Sequence, residues 1–236
     1  MEFLGQVVAW LSDPANWSGR DAIPTRIGEH LALSGVSLAA GVAIAVPLGL
    51  GIGHTRRWAG AVVAISNVGR AVPSVGILGL ALPITLQMGW GIGVPPTLLA
   101  LTLLAIPPIV VNAYVGIRDV DQDLVEAGRG MGMSEGQLLS GIEVPIALPV
   151  ILAGVRIAAV QVIATATLGA ILSTGGLGRF IVDGIAQRDD VQTFAGAILV
   201  MALALMSEGV FALAQRAAVS PGVPQPNRHT RYAGNC

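Results

Sequence analysis

Residues 121–145 read DQDLVEAGRGMGMSEGQLLSGIEVP, the longest polar interval between hydrophobic stretches of this 236-residue chain. The interval is patterned as structure. Leu124, Ala127, Gly128 and Met131 fall at i, i+3, i+4 and i+7, which predicts one apolar face of a short helix. Glu126 and Arg129 lie off that face, solvated or paired. Gly130 and Gly132 are expected to end the helix, because glycine enters the left-handed turn without steric cost. Ser134 and Gln137 have the spacing of a capping box, so a second helix should start there and carry Leu138, Leu139 and Ile142. Pro145 then closes the connection and opens the next hydrophobic segment. Two short amphipathic helices between apolar spans predict a rigid surface, not a tether.

The series Glu126-Ala127, Gly132 and Ile142-x-Val144-Pro145 resembles the EAA loop of permease subunits from binding-protein-dependent ABC importers. That pattern reads E-A-A, three residues, G, nine residues, I-x-L-P. Here residues 129–131 and 133–141 fill the two intervals without gaps, with Gly128 replacing the third alanine and Val144 the leucine. The resemblance extends over roughly residues 27 to 216. The stretches AVPSVGILGL, PPIVVNAYVGIRDV, LPVILAGVRIA, ATATLGAIL and GGLG look most like the osmoprotectant branch, whose members carry glycine betaine, choline, carnitine and sometimes proline. The resemblance implies an all-α polytopic membrane protein with type I ABC importer permease (MetI-like) architecture. It implies coupling to an ATPase through Glu126, Ala127, Gly128, Gly132, Ile142 and Pro145. It also implies a second permease subunit and an extracytoplasmic substrate-binding protein.

Composition points the same way. The chain is 53% hydrophobic and 11% charged, with mean hydropathy +0.73. Soluble domains carry about a quarter charged residues, so the reading is a membrane protein. A net charge of -1 argues against a nucleic-acid partner, which would want a basic face. Cys236 is the only cysteine, and His30, His54 and His229 stand isolated without ligand spacing, so no metal or cofactor is expected. Walker A and phosphate-binding glycine motifs are absent. Any ATP-driven machine built on this chain takes its nucleotide site from another subunit.

Five spans are expected. Leu31 to Gly53 runs 23 residues without charge, enough to cross a ~30 Å core. A second segment, Trp58 to about Leu86, would be roughly 43 Å long as a straight helix, so it must tilt or break, with the break at residues 69–73. The third runs Thr97 to Ile117 with a kink at Pro107-Pro108, the fourth about Ile146 to Leu172, and the fifth Thr193 to Gln215. Residues 1–26 read as an extracytoplasmic or interfacial segment: Leu4, Val7, Val8 and Leu11 share a helical face and Asp13-Pro14 ends it. A frayed terminus is the alternative. Residues 27–216 form the transmembrane domain, with the coupling loop at 119–145, and residues 217–236 a disordered tail. Arginine bias of seven against four places the loop and C-terminus in the cytoplasm and the N-terminus outside.

Polar residues inside spans are the candidates for a pathway. Arg70 lies about 18 Å along a helix from Trp58, near mid-depth, where a charge usually faces protein or water. Beside the Pro73 break it either lines or gates a pathway, or it caps freed carbonyls. Asn112, Gln161 and Thr165 line the pathway or hydrogen-bond between helices. Arg156 is read as snorkelling toward the interface, and Glu208 as pairing with an arginine or meeting water. Leu177, Ile181 and Ile185 predict a short surface helix beside GGLG, contacting a receptor or scaffolding an outer gate. Gly35, Gly41 and Gly49 allow close helix contact. With 4% aromatic residues the chain shows no cage for a quaternary ammonium, so selectivity is expected on the binding protein. Two rivals remain: a permease for methionine or another amino acid, and a passive pore without an ATPase.

Overall fold

The structure is a computed structural model describing residues 2–58, 60, 62, 64 and 72–218. Helix α1 (Glu2–Ser12) is followed by α2 (Ile23–Thr55), α3 (Ser74–Gln87), α4 (Val94–Arg118) and α5 (Gln122–Gly130). Then come α6 (Glu135–Leu138), a π-helical turn (Leu139–Glu143), α7 (Val144–Thr165) and a 3-10 segment (Ala166–Leu172). Helices α8 (Gly178–Gln187) and α9 (Asp190–Ala218) complete the fold, and no strand occurs among the described residues. Four stretches are long and apolar enough to cross a membrane: Ile23–Thr55, Val94–Arg118, Glu135–Leu172 and Asp190–Ala218. The second hydrophobic segment enters as the 14-residue α3, which begins where Pro73 caps it. That start fits the expected break, but Arg70 lies outside the described residues, as does 219–236 of the tail.

Helix starts follow the prolines. Proline fixes φ and lacks a donor, so it suits a first turn, where the N–H has no intrahelical partner. Pro24 opens α2, and Pro95 and Pro96 open α4. Helix α2 starts eight residues before the expected Leu31. At 33 residues it is about 50 Å long, so its first turns, bearing Arg26 and Glu29, extend beyond a bilayer core.

The centre of the fold is a close seam between α2 and α4. Gly41, Ala45, Gly49 and Gly53 recur every fourth residue on α2 and meet Ala105, Ala113 and Ile117 of α4. A Cβ at Gly41 would fall 2.7 Å from that of Ala105, and one at Gly53 2.7 Å from that of Ile117. Small residues at this spacing let helix backbones approach, which drives association where lipid removes the hydrophobic incentive. Gly41 and Gly49 are therefore consumed inside the chain, whereas Gly35 is open. Helix α7 packs against α4 and also touches α2, burying Leu104, Ile109, Ala158 and Val162 in the shared core. Helix α9 joins α7 along one flank and leaves Met201, Leu205, Met206, Val210 and Leu213 outward.

One expectation is corrected. The second loop helix is not separate: α6 runs through the π turn into α7 as one rod, Glu135–Leu172. Pro145 opens the next hydrophobic segment as expected, in the first turn of α7 just after the π turn. In α1 the inward residue is Val7, with Phe3 edge-on to Phe194 and Trp10 to Phe180, while Leu4 and Val8 face outward.

Candidate functional site

The 121–145 loop is braced from several directions. Asp121 caps α5 by accepting the Asp123 N–H at 3.0 Å. Gly132 takes φ +86°, a value open to glycine and strained for other residues, and turns the chain back. Ser134 and Gln137 form the expected capping box. Arg129 grips Glu135 with two bonds of 2.9 Å, from Nε and Nη2 to the two carboxylate oxygens. Those bonds raise the guanidinium further above its ordinary pKa.

The faces of α5 differ from expectation. Val125 and Gly128 turn inward, and a Cβ at Gly128 would fall 2.6 Å from Leu138 Cδ2 and 2.9 Å from Ile142 Cδ1. Gly128 and Ile142 thus join the loop to itself. Leu124, Glu126, Ala127 and Met131 face away from the chain, with Met131 76% exposed. The predicted stripe exists, but Gly128 does not belong to it, and the stripe has no partner within the described residues. Pro145 is exposed beside the loop.

One tie escaped sequence reading. His54, at the end of α2, places Nδ1 2.5 Å from Glu143 Oε2 and Nε2 3.1 Å from Glu135 Oε2. Glu143 is 4% exposed. The partners are separated by 89 residues, so no local pattern reveals the pair. The available hint was a single acid between the apolar residues Ile142 and Val144.

Within the helical body, Asn112, Gln161 and Thr165 come together. They line one cavity of about 360 Å³ with Ser74, Pro107 and Pro108. Pro73, adjacent to Ser74, sets the start of α3 at its wall. Asn112 Nδ2 donates to the Pro108 carbonyl at 2.8 Å, and a Cβ at Gly154 of α7 would fall 2.5 Å from the Asn112 Cβ. Arg156 does not snorkel freely. Its Nε meets Glu208 Oε1 at 3.2 Å and its Nη1 donates to Gln215 Oε1 at 3.1 Å, joining α7 to α9. Gln215 also donates to the Pro149 carbonyl at 2.8 Å.

At the opposite end, Glu29 of α2 holds the GGLG turn. Its Oε2 accepts the Gly176 N–H at 2.7 Å and Arg26 Nη1 at 2.8 Å, while Arg26 also pairs with Asp21. A Cβ at Gly175 would overlap the Glu29 carboxylate, and Gly176 has φ +92°. His30, buried below, donates Nε2–H to the Ile163 carbonyl at 2.9 Å. The expected surface helix forms as α8, with Leu177 buried at its start, Ile181 half-buried and Ile185 exposed.

Comparison with known proteins places this geometry. Residues 41–223 match the family described as binding-protein-dependent transport system inner membrane component. The chain is 33% identical over 198 residues to a glycine betaine/carnitine/choline transport system permease protein of Bacillus subtilis, covering 84% of this chain and 89% of that protein. It is 40% identical over 180 residues to a carnitine transport permease protein of Listeria monocytogenes, covering 76% and 80%. It is 35% identical over 178 residues to an osmoprotectant import permease protein of Salmonella typhimurium, covering 75% and 83%. Among solved structures, an inward-facing methionine ABC transporter matches with TM-score 0.75 at 24% identity, covering 89% of this chain and all of that one. The all-α spans, the braced 121–145 loop and these likenesses agree: the chain belongs to the family of inner membrane components of binding-protein-dependent transport systems.

Proposed function

We propose that this chain is the permease subunit of an ATP-driven importer of osmoprotectants such as glycine betaine, choline, carnitine or proline. The observation that carries the reading is the outward stripe Leu124, Ala127 and Met131, with Glu126 beside it, on a helix braced from behind. A rigid apolar ridge flanked by a carboxylate suits a groove with an arginine on a separate ATPase. ATP-driven closure of two such ATPases would move α5, and through it α4 and the α6–α7 rod, to alternate access.

The cavity lined by Asn112, Gln161 and Thr165 would form half of a pathway completed by a second permease, identical or paralogous. Among the described residues its polar walls are neutral, which suits passage of a zwitterion without tight capture. The 121–145 loop and C-terminus would lie in the cytoplasm and the N-terminus outside. The Glu29–GGLG end would then face an extracytoplasmic binding protein, which supplies selectivity. Relatives at 33–40% identity named for betaine, carnitine and choline favour this branch. The likeness to the methionine transporter, at 24% identity, supports the fold alone. A passive pore would leave the braced ridge without purpose.

The test is reconstitution with the neighbouring ATPase and receptor, and uptake measured over betaine, choline, carnitine, proline and methionine. Glu126→Arg should reduce ATP-coupled uptake at least tenfold while membrane insertion stays normal. Unchanged uptake in that variant, or uptake without ATP, would remove the coupling assignment.

A further inference from the structure

The cavity lined by Asn112, Gln161 and Thr165 ends abruptly toward the GGLG turn. A second pocket of about 10 Å³ shares the walls Ser74, Leu104 and Thr165 with it, and Leu78, Leu101 and Leu168 close round that space. The volume is barely enough for one water and admits no osmolyte. Gly169 of the 3-10 segment completes the lid by lying on Thr97, in the first turn of α4. A Cβ at Gly169 would fall 2.5 Å from Thr97 Cγ2 and 2.5 Å from Thr174 Oγ1. Gly169 is the only glycine in Ala166–Leu172, so no other residue of the segment can sit as close to Thr97. Thr174 Oγ1 is buried beside it with no hydrogen-bond partner among the described residues. Burial of an unpaired hydroxyl is costly, so the closed lid needs support from elsewhere.

That support lies at the foot of the segment. The last α bond of α7 runs from the Ala166 N–H to the Val162 carbonyl. The next would join the Thr167 N–H to the Ile163 carbonyl. At that carbonyl the pitch changes, and buried His30 of α2 takes the acceptor, its Nε2–H donating at 2.9 Å. Seven residues then follow as a 3-10 helix, although runs beyond about 3–4 residues are uncommon. The GGLG turn presses on the same place, since a Cβ at Gly178 would overlap the Thr167 carbonyl. A 3-10 helix rises about 2.0 Å and turns about 120° per residue, against about 1.5 Å and 100° for an α-helix. Return to α geometry would shorten the segment by about 3.5 Å and carry Gly169, its fourth residue, about 2 Å down and about 80° round, off Thr97.

We propose that Ala166–Leu172 is the outer gate of the transport pathway and that His30 is its positioning residue. The His30–Ile163 bond keeps the segment in the 3-10 pitch with Gly169 seated on Thr97, and release of that bond lets the gate retract as α-helix. The proposal rests on the reading that the cavity is the pathway and that the GGLG end faces the receptor. The gate ends the same rod, Glu135–Leu172, that begins in the coupling loop, so one body joins the ATPase side to the gate.

The experiment uses the importer with its ATPase and receptor in right-side-out membrane vesicles without nucleotide, in a Cys236→Ser background. Ser74→Cys, a change of one atom, puts a thiol under the gate. The probe is a membrane-impermeant methanethiosulfonate bearing a trimethylammonium group, added on the receptor side, and labelling is read as the mass shift of this chain. Labelling should be slow with His30 in place and several-fold to about tenfold faster in His30→Ala, the factor that one lost hydrogen bond sets. His30→Gln keeps a donor and should restore slow labelling. Gly169→Ala should also speed labelling, and adding Thr97→Ser with Thr174→Ala should reverse it. Ala147→Cys, buried toward the other end of the rod, reports general loosening. If its labelling rises in step with that of Ser74→Cys, His30 is merely structural and the proposal is overturned. Spin labels on Ile157→Cys and Ile171→Cys, both exposed, supply an arm independent of transport. Their separation should shorten by about 3 Å in His30→Ala and not in His30→Gln. If neither labelling nor separation changes, or if labelling rises without shortening, the proposal is overturned. If the separation shortens while Ser74→Cys stays unreactive, the His30 latch stands and the reading of the cavity as the pathway fails.

Discussion

Replacing Gly49 with alanine would set a methyl carbon 2.5 Å from the Ala113 Cβ, 2.8 Å from the Val110 carbonyl oxygen and 3.2 Å from the Tyr114 nitrogen. Carbon atoms rest at about 3.5–4.0 Å, so α2 and α4 must part locally by about 1 Å. Two of the three obstacles are backbone atoms and cannot rotate aside. Overpacking of this kind costs about 1–3 kcal/mol. Gly51 lies two residues along the same helix, and a methyl there would have nothing within 4 Å. At that position alanine gains helix propensity, up to about 1 kcal/mol in water, and meets no clash. For a chain of this size, 1 kcal/mol corresponds to about 2–4 °C in Tm. Gly49→Ala should therefore melt roughly 2–12 °C below the parent, and Gly51→Ala at or slightly above it. Tryptophan fluorescence of the detergent-solubilised protein reads both, at one fixed heating rate because unfolding of membrane proteins is scan-rate dependent. Adding Ala113→Gly to Gly49→Ala should restore part of the loss, since the Cβ obstacle goes and the Val110 carbonyl stays. Equal melting of the Gly49 and Gly51 variants would refute the seam as the source of α2–α4 cohesion.

The Arg156–Glu208 pair predicts a smaller effect. Glu208→Gln keeps an acceptor but removes the charge, and interhelical polar contacts in membranes are worth roughly 0.6–1.7 kcal/mol. A loss of that order in the melting measurement is expected, and a larger loss in Arg156→Ala, which also vacates Gln215. At the other end, Gly175→Ala pushes the Glu29 carboxylate off the Gly176 N–H. It should therefore reproduce the effect of Glu29→Ala on uptake, and the double variant should add little, as sites sharing one contact are non-additive. Full additivity would mean that the two residues act separately.

Much of the helical layout was legible from hydropathy, because a run of twenty or more apolar residues has few alternatives. The ends of helices were less so. Helix α2 starts at Ile23 because Pro24 can open a helix in water as well as in lipid, and hydropathy marks only the lipid-facing part. The loop spacing announced α5 and the capping box, yet it assigned Gly128 to the wrong face. A periodic stripe says that a helix has an apolar side; it does not say whether the covering surface belongs to the same chain. On α5 there are two such sides, and glycine contributes no hydrophobicity to vote for either. The cavity residues were found because a polar side chain in a span is conspicuous. The bracket on His54 was missed because its parts are far apart in sequence, and a histidine at a helix end looks like any solvated one.

In the proposed coupling role, the two sides of α5 together would let a nine-residue helix transmit force. An isolated helix of that length is marginal in water, and a helix pushed by a partner would fray before it moved anything. Here its inner side is locked by Leu138 and Ile142 in the space that a Cβ at Gly128 would fill. Its end is clamped by the Arg129–Glu135 pair. A load applied to Leu124, Ala127 and Met131 would therefore pass into the α6–α7 rod, which runs continuously from Glu135 to Leu172. Restoring a side chain at Gly128 tests this directly. Gly128→Leu must displace Leu138, which is fully buried, so it should loosen the helix from the rod. The ATPase would still bind the outward stripe. Hydrolysis should then persist while uptake falls, and proportionate loss of both would show that the inner packing is not the route of transmission.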